Sequence, residues 1–161
     1  MALGDIAQQA GVSKGGLLHH FPSRDALFLA VAEDALGSVR SRVQSTVDLS
    51  ENRPGKLLRA YVRVLCGDED AARTSYDPSG LWSALDAVPG VARLLEEDTA
   101  WWHTAFASDG LHPDRILVVR HAAEGLAAAF AFDSAVTADT LAHARMVLLA
   151  LTDTNAPIAL L

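Results

Sequence analysis

The chain has 161 residues, of which half are hydrophobic but only 6% aromatic, and its net charge is −7. This length suffices for one or two small domains with a hydrophobic core, and the abundance of alanine and leucine favours helices. A single cysteine, Cys66, excludes an internal disulfide and fits a reducing compartment. Because the sequence shows neither a signal-like leader nor an apolar run of roughly 18 residues, we expect a cytoplasmic protein without a membrane span.

The acidic excess is confined to the later part of the chain. Residues 1–47 contain four basic and four acidic side chains, whereas residues 48–161 contain nine basic and sixteen acidic ones. Residues 48–56 are polar and contain a proline, which is typical of a domain boundary. We therefore expect one domain over 1–47 and a second over 48–161, with a first domain that is neutral rather than basic.

Hydrophobic periodicity predicts helices throughout the chain and no strand of any length, so the expected fold class is all-α. Gly11 is placed to end the first helix, because glycine readily takes the left-handed conformation that follows a last helical turn. Ser13 and Ser23 are placed to cap the two helices that follow. The predicted helices cover about 3–10, 14–21, 24–47, 54–66, 79–88, 90–108, 113–132 and 137–152.

Residues 11–27, GVSKGGLLHHFPSRDAL, follow a short helix and give the spacing of a helix-turn-helix. Ala7 is small where the two helices would cross, and Val12 and Leu17 are expected to point into a small core. The second helix begins with Ser-Lys-Gly-Gly, a positively charged start with little side-chain bulk. Such a start can approach a DNA backbone closely, although short helical hairpins are common in any all-α protein.

Residues 5–27, DIAQQAGVSKGGLLHHFPSRDAL, resemble the DNA-binding segment of the TetR family of bacterial transcriptional repressors. The resemblance implies a homodimer that binds palindromic operator DNA and is released by a small hydrophobic or aromatic effector. The sequence departs from the family pattern at Gly16 and Leu18, where threonine and tyrosine hydroxyls usually contact phosphate. Family members also normally have a further helix before this segment, so we expect the natural N-terminus to lie upstream of Met1.

The resemblance also implies which side chains meet DNA. Arg24 would hold a phosphate and His19 would lie near the bases, whereas Leu17, His20 and Phe21 would pack inside. The DNA-binding residues that it implies are Ser13, Lys14, Gly15, Gly16, Leu18, His19 and Arg24.

Large aromatic side chains are concentrated in the middle helices. Adjacent Trp101 and Trp102 cannot face the same way on a helix, so one of them is placed to line a cavity, with core filling as the alternative. In the TetR family a cavity between the middle helices takes the effector, and apolar walls suit such a site. The effector-binding residues that this implies are Tyr61, Trp82, Trp101, Trp102 and Phe106. Glu97 and Asp98, one turn before the tryptophans, are interpreted as a surface charge run, with a preference for a cationic ligand as the alternative.

Residues 146–151, MVLLAL, are apolar on every side of a helix. In a small domain one side of such a helix can face the core, and the other side needs a partner. The preceding helix is rich in alanine, which permits close helix packing. The last two helices are therefore predicted to form a homodimer interface.

The sequence contains no Ser-His-Asp elbow, phosphate-binding glycine loop or paired-carboxylate motif, so we predict neither an enzyme nor a cofactor. His121 and Glu124 have a metal-compatible spacing, but no second pair accompanies them and no metal site is predicted. The leading hypothesis is a homodimeric, ligand-responsive TetR-like repressor. The alternatives are a ligand-binding or interaction protein of the same fold that has lost DNA binding, and a small all-α enzyme.

Overall fold

The computed structural model describes residues 2–67, 85 and 87–158, and within these residues all regular structure is helical. The seven helices are α1 Leu3–Gln9, α2 Lys14–His20, α3 Arg24–Thr46, α4 Lys56–Leu65, α5 Val91–Ser108, α6 Pro113–Phe132 and α7 Ala138–Ala150. The all-α prediction is confirmed, and each of these helices matches a predicted one within two residues at either end. The helix predicted over 79–88 lies largely outside the described residues. None of the described helices combines the length and hydropathy that crossing a bilayer requires.

α4 is the central helix of the C-terminal part. It packs against α3, α5, α6 and α7, and seven of its ten residues are buried, with Arg63 as the exposed exception. A helix covered on nearly every side must be apolar nearly all round, which explains the sequence KLLRAYVRVL. The buried side chains that pack with α4 from α5, α6 and α7 include Trp102, Phe106, Val119, Ala123, Ala127, Leu141 and Leu148.

The start of α4 is fixed by two residues outside it. Gly55 has a φ of +88°, and a Cβ there would lie 3.0 Å from the Arg59 guanidinium. Asp109, at the end of α5, accepts hydrogen bonds through Oδ2 from the backbone N–H groups of Leu57 (2.8 Å) and Leu58 (3.2 Å). Burial raises the pKa of Asp109, although these two donors act in the opposite direction. A carboxylate from another helix therefore supplies the N-terminal cap of α4.

Arg59 of α4 is 1% exposed and is the largest fully buried side chain among the described residues. Its guanidinium donates to the carboxylate of Glu51 (3.0 Å) and to the carbonyl oxygens of Thr152 (3.2 Å) and Arg53 (3.3 Å). Burial acts to raise the pKa of Glu51, but the hydrogen bonds from Arg53 and Arg59 outweigh it and the pKa is lowered. Arg59 thus ties α4 both to the segment before it and to the residues that follow α7.

A second hydrophobic cluster joins α3 to the start of α5. Its buried members are Ala32, Leu85, Val88 and Val91, with Phe28, Leu29, Leu94 and Leu95 packed against them. The long helix α3 consequently contacts both α4 and α5 along its length.

Replacing Arg59 by alanine is expected to lower the free energy of unfolding by about 3 kcal/mol. The change leaves a cavity, an unsatisfied carbonyl at Thr152 and one cation fewer beside Glu51. Urea denaturation followed by circular dichroism measures the effect. Arg93→Ala is the matched control, because Arg93 is 83% exposed and its pair with Glu97 is screened by water. Equal unfolding midpoints for the two variants would contradict the role assigned to Arg59.

Candidate DNA-binding surface and effector site

The turn between α1 and α2 is closed by two backbone hydrogen bonds. Gly11 has a φ of +70°, and its N–H donates to the carbonyl of Gln8 at 3.2 Å. The N–H of Val12 donates to the carbonyl of Ala7 at 3.0 Å. This pair of bonds is a Schellman motif, which satisfies the last carbonyls of α1 and requires a left-handed residue at the glycine. The turn therefore fixes the direction in which α2 leaves α1.

The next helix, α2, starts at a side-chain cap and presents most of its surface to solvent. Ser13 Oγ accepts a hydrogen bond from the N–H of Gly16 at 3.0 Å. A Cβ at Gly16 would also lie 3.0 Å from that oxygen, so a larger residue there would crowd the cap. Leu17 is half-buried. The exposed residues of α2 are Lys14, Gly15, Gly16, Leu18, His19 and His20. The predicted DNA-binding residues of α2 are thus all accessible.

Arg24 is the first residue of α3 and is also exposed. Ser23 caps this helix by accepting a hydrogen bond from the N–H of Ala26 at 3.0 Å, as the sequence predicts. The Arg24 guanidinium carbon lies 4.8 Å from the centre of the Phe28 ring, in a cation–π contact. This contact orients the guanidinium while leaving its N–H groups in solvent, where they can meet a phosphate.

Two expectations about packed side chains near this surface are wrong. Val12 is 49% exposed, because the turn that its N–H closes holds its side chain outside both helices. His20 is exposed, with its ring 5.4 Å from that of His19 and 6.5 Å from that of Phe21. Leu17 is the residue of α2 that points inward. The imidazole of His20 remains in water, where a polar ring costs little free energy.

Four of the five predicted effector residues lie together. The rings of Tyr61, Trp102 and Phe106 are buried, with centres 4.8 Å apart for Tyr61–Trp102, 5.2 Å for Tyr61–Phe106 and 5.3 Å for Trp102–Phe106. Trp101 is half-buried, and its ring centre lies 4.8 Å from that of Trp102. Trp82 lies outside the described residues. We call Tyr61, Trp101, Trp102 and Phe106 the aromatic cluster.

A polar group borders the aromatic cluster. Glu124 accepts hydrogen bonds from Tyr61 Oη and Arg120 Nε, both at 2.9 Å, and its other oxygen lies 3.0 Å from His121 Nδ1. Burial acts to raise the pKa of Glu124, but these partners outweigh it and the pKa is lowered. The Arg120 guanidinium carbon lies 5.7 Å from the centre of the Phe106 ring. Glu124 is therefore an ionised acceptor at the edge of the aromatic cluster.

The aromatic cluster is joined to α3 by Arg40. Its Nε donates to Asp98 Oδ1 at 2.6 Å, and its guanidinium carbon lies 4.6 Å from the centre of the Trp101 ring. Asp98 is 8% exposed, so its interpretation as part of a surface charge run is wrong, whereas Glu97 is exposed and pairs with Arg93. Sequence reasoning missed this pair because its members are 58 positions apart and no local pattern connects them.

The last two helices expose a set of large apolar side chains. Its members are Leu117, Val118, Phe132, Met146 and Val147. Leu148, in contrast, is 5% exposed and belongs to the main core. The apolar sequence of α7 therefore serves two sides of the helix, one facing the core and one facing solvent.

Three cavities in the described part of the chain are lined by residues outside the aromatic cluster. One, of about 570 Å³, lies along α5 between Leu95 and Thr104. Another, of about 470 Å³, lies between the end of α6 and the start of α7, and a third, of about 250 Å³, lies where α3 and α4 end. Within residues 2–67, 85 and 87–158, no group of three or more histidine, cysteine or acidic side chains is placed to hold a metal ion. The assignment of the effector to the aromatic cluster remains a prediction.

Comparison with known proteins identifies both parts of the chain. Residues 1–31 match the family model described as bacterial regulatory proteins, tetR family. Residues 55–153, more than half of the chain, match the model described as tetracyclin repressor-like, C-terminal domain. No curated protein and no solved structure gives a significant match. The two family matches, in chain order on an all-helical fold, show that this protein belongs to the TetR family of transcription regulators.

Proposed function

We propose that this protein is a repressor that binds palindromic operator DNA as a homodimer and is released by a small hydrophobic or aromatic effector in the cytoplasm. The observation that carries the proposal is the exposed surface of α2. A helix held by a Schellman turn and a serine cap presents six of its seven residues to solvent, which a helix that served only the core would not do.

The DNA contacts that we propose divide into two kinds. Lys14 starts α2 and Arg24 starts α3, and both are exposed cations suited to phosphates, which position a protein on the duplex. His19, five residues after Lys14 on α2, is exposed and carries ring nitrogens that can reach base edges in the major groove. Ser13, at the cap of α2, adds an exposed hydroxyl beside Lys14.

The dimer that we propose uses the exposed apolar side chains of α6 and α7. Leu117 and Val118 lie on α6, and Met146 and Val147 lie on α7, while α6 and α7 pack against each other within the subunit. Two such helix pairs related by a twofold axis would form a four-helix interface and remove these side chains from water. A twofold dimer also presents two copies of α2, as a palindromic operator requires.

We place the effector at the aromatic cluster. Arg40 would transmit the effect of its binding to α3. A flat, apolar molecule that inserts beside Trp101 and Trp102 would compete with the Arg40 guanidinium for the Trp101 ring. The polar edge at Glu124 would accept a hydrogen bond from such a molecule. Because α3 runs from Arg24 to Thr46, a change at Arg40 acts on the same helix that begins beside the DNA-binding surface.

One observation favours the alternative, a ligand-binding or interaction protein of the same fold without DNA binding. Gly16 and Leu18 carry no hydroxyl, so two side-chain phosphate contacts usual in the family are missing from each subunit. Each neutral hydrogen bond contributes only on the order of 1 kcal/mol, which the charged contacts of Lys14 and Arg24 can outweigh.

Replacing Lys14 or Arg24 by alanine is expected to weaken binding to every DNA sequence about equally. Each change removes one phosphate contact per subunit and two per dimer, so the slope of log affinity against log salt should flatten by about two units. His19→Ala should instead lower the preference for operator over random DNA with little change in that slope. Titration of labelled DNA at several salt concentrations measures both quantities.

Arg93→Ala, which removes an exposed arginine from α5, is the control for an unspecific change of net charge. The test uses the full-length gene product and its own promoter region. If no binding is found at low salt that Lys14→Ala weakens, the repressor assignment fails and the alternative takes its place.

Val147→Glu is expected to dissociate the dimer while leaving the subunit folded. Val147 is 46% exposed in the subunit, so a carboxylate is tolerated there until a second subunit buries it. Burying an unpaired carboxylate costs several kcal/mol, which corresponds to a rise of about hundredfold or more in the dimer dissociation constant. Sedimentation at micromolar concentration measures the assembly, and circular dichroism measures folding.

Two other variants distinguish the proposed interface from the core and from the remaining surface. Leu148→Glu should unfold the subunit, because Leu148 lies in the core. Leu49→Glu should change neither assembly nor folding, because Leu49 is 83% exposed and lies in the segment between α3 and α4 rather than on α6 or α7. A wild-type protein that sediments as a monomer, or a Val147→Glu variant that stays dimeric, would rule out this interface.

A further inference from the structure

The first turn of α3 pairs a cation with an aromatic ring. Arg24 and Phe28 are four residues apart, so their side chains lie on the same face of the helix. The Arg24 guanidinium carbon lies over the Phe28 ring, 4.8 Å from its centre. An aromatic face attracts a guanidinium without using an N–H donor in a hydrogen bond. The contact with the ring and a contact with a phosphate can therefore be made at the same time.

The Phe28 ring is held in turn by the junction of α3 with α5. Phe28 is half-buried and packs against the buried cluster that contains Ala32 of α3 and Val91, the first residue of α5. Gly90 precedes α5 with a φ of +91°, and a Cβ there would lie 3.6 Å from the Leu29 side chain. The start of α5 thus approaches α3 closely beside Phe28. The ring beneath Arg24 consequently rests on a packed support rather than on solvent.

The charge of Arg24 does not stabilise its own helix. Arg24 is the first residue of α3, and the N-terminal end of a helix carries partial positive charge, which disfavours a cation. An exposed arginine also has many rotamers, and ordering them costs conformational entropy when a ligand binds. A guanidinium that already rests on a supported ring has lost part of this freedom before DNA arrives.

We propose that Phe28 is a positioning residue for the phosphate contact of Arg24. The inference rests on the DNA-binding function proposed above and adds a residue that does not itself reach DNA. Phe28 holds the guanidinium near the start of α3, so the contact forms with a smaller loss of side-chain entropy. Removing the ring leaves the charge of Arg24 in place but leaves the guanidinium without its support.

A double-mutant cycle on the affinity of the full-length gene product for its own promoter region tests the proposal. Phe28→Leu should weaken binding about threefold per subunit, and therefore about tenfold for the dimer. The slope of log affinity against log salt should stay near that of the wild type, because the charge of Arg24 remains. In the Arg24→Ala background, Phe28→Leu should have little further effect.

Three further variants separate positioning from packing. Phe28→Tyr keeps the ring face and should bind DNA like the wild type, whereas Phe28→Met should behave like Phe28→Leu. Leu29→Val trims the same α3–α5 junction without removing the ring beneath Arg24, and should also bind like the wild type. Circular dichroism checks that each variant is folded.

Two results would overturn the positioning role while leaving DNA binding in place. One is wild-type affinity in both Phe28→Leu and Phe28→Met. The other is an equal weakening by Phe28→Leu with and without Arg24, which is the result expected if the ring serves packing alone. Absence of DNA binding by the wild-type protein is a different result, because it removes the proposed function and this inference together.

Discussion

The enclosure of α4 is the constraint on which the C-terminal part of this protein depends. A ten-residue helix that contacts four others has almost no face for water, and it must therefore be apolar nearly all round. The polar groups of α4 find their hydrogen-bond partners outside the helix. Asp109 accepts from the first N–H groups of α4, and the buried Arg59 donates to Glu51 and to backbone carbonyls. Because Tyr61 of the aromatic cluster also belongs to α4, the same enclosure fixes one wall of the proposed effector site.

The relation between the two halves of the molecule follows from α3. This helix begins at Arg24, beside the exposed surface of α2, and reaches the aromatic cluster through Arg40. The pair of Arg40 with Asp98 is largely removed from water, so breaking one side of it is costly and its two partners tend to move together. Contact between Arg40 and Trp101 places this ion pair directly against the cluster. An effector that moves the Trp101 ring or the Asp98 carboxylate would therefore act on α3 through Arg40.

Features specified by neighbouring residues could be predicted from the sequence, and features specified across the fold could not. Gly11 as a helix end and Ser13 and Ser23 as caps act within three residues of themselves, and the structure confirms all three. The caps and ties of α4 come from residues 51, 109 and 152, whose local sequence gives no sign of this role. The apolar run of α7 likewise predicts that both sides are covered. It does not say that Leu148 faces the core, because that depends on how the helix is rotated against α4 and α6.

We propose that a ligand at the aromatic cluster weakens operator binding through the Arg40–Asp98 pair. The most direct measurement is the operator affinity of the full-length gene product with and without a lipophilic aromatic compound that quenches its tryptophan fluorescence, in the wild type and in Asp98→Asn. We expect the saturating compound to weaken operator binding of the wild type about tenfold or more, within the usual range of allosteric coupling. In the Asp98→Asn variant most of this weakening by the compound should be lost, while the compound alone and the operator alone each still bind. A compound that saturates the cluster and leaves the operator affinity of the wild type unchanged would contradict the claim.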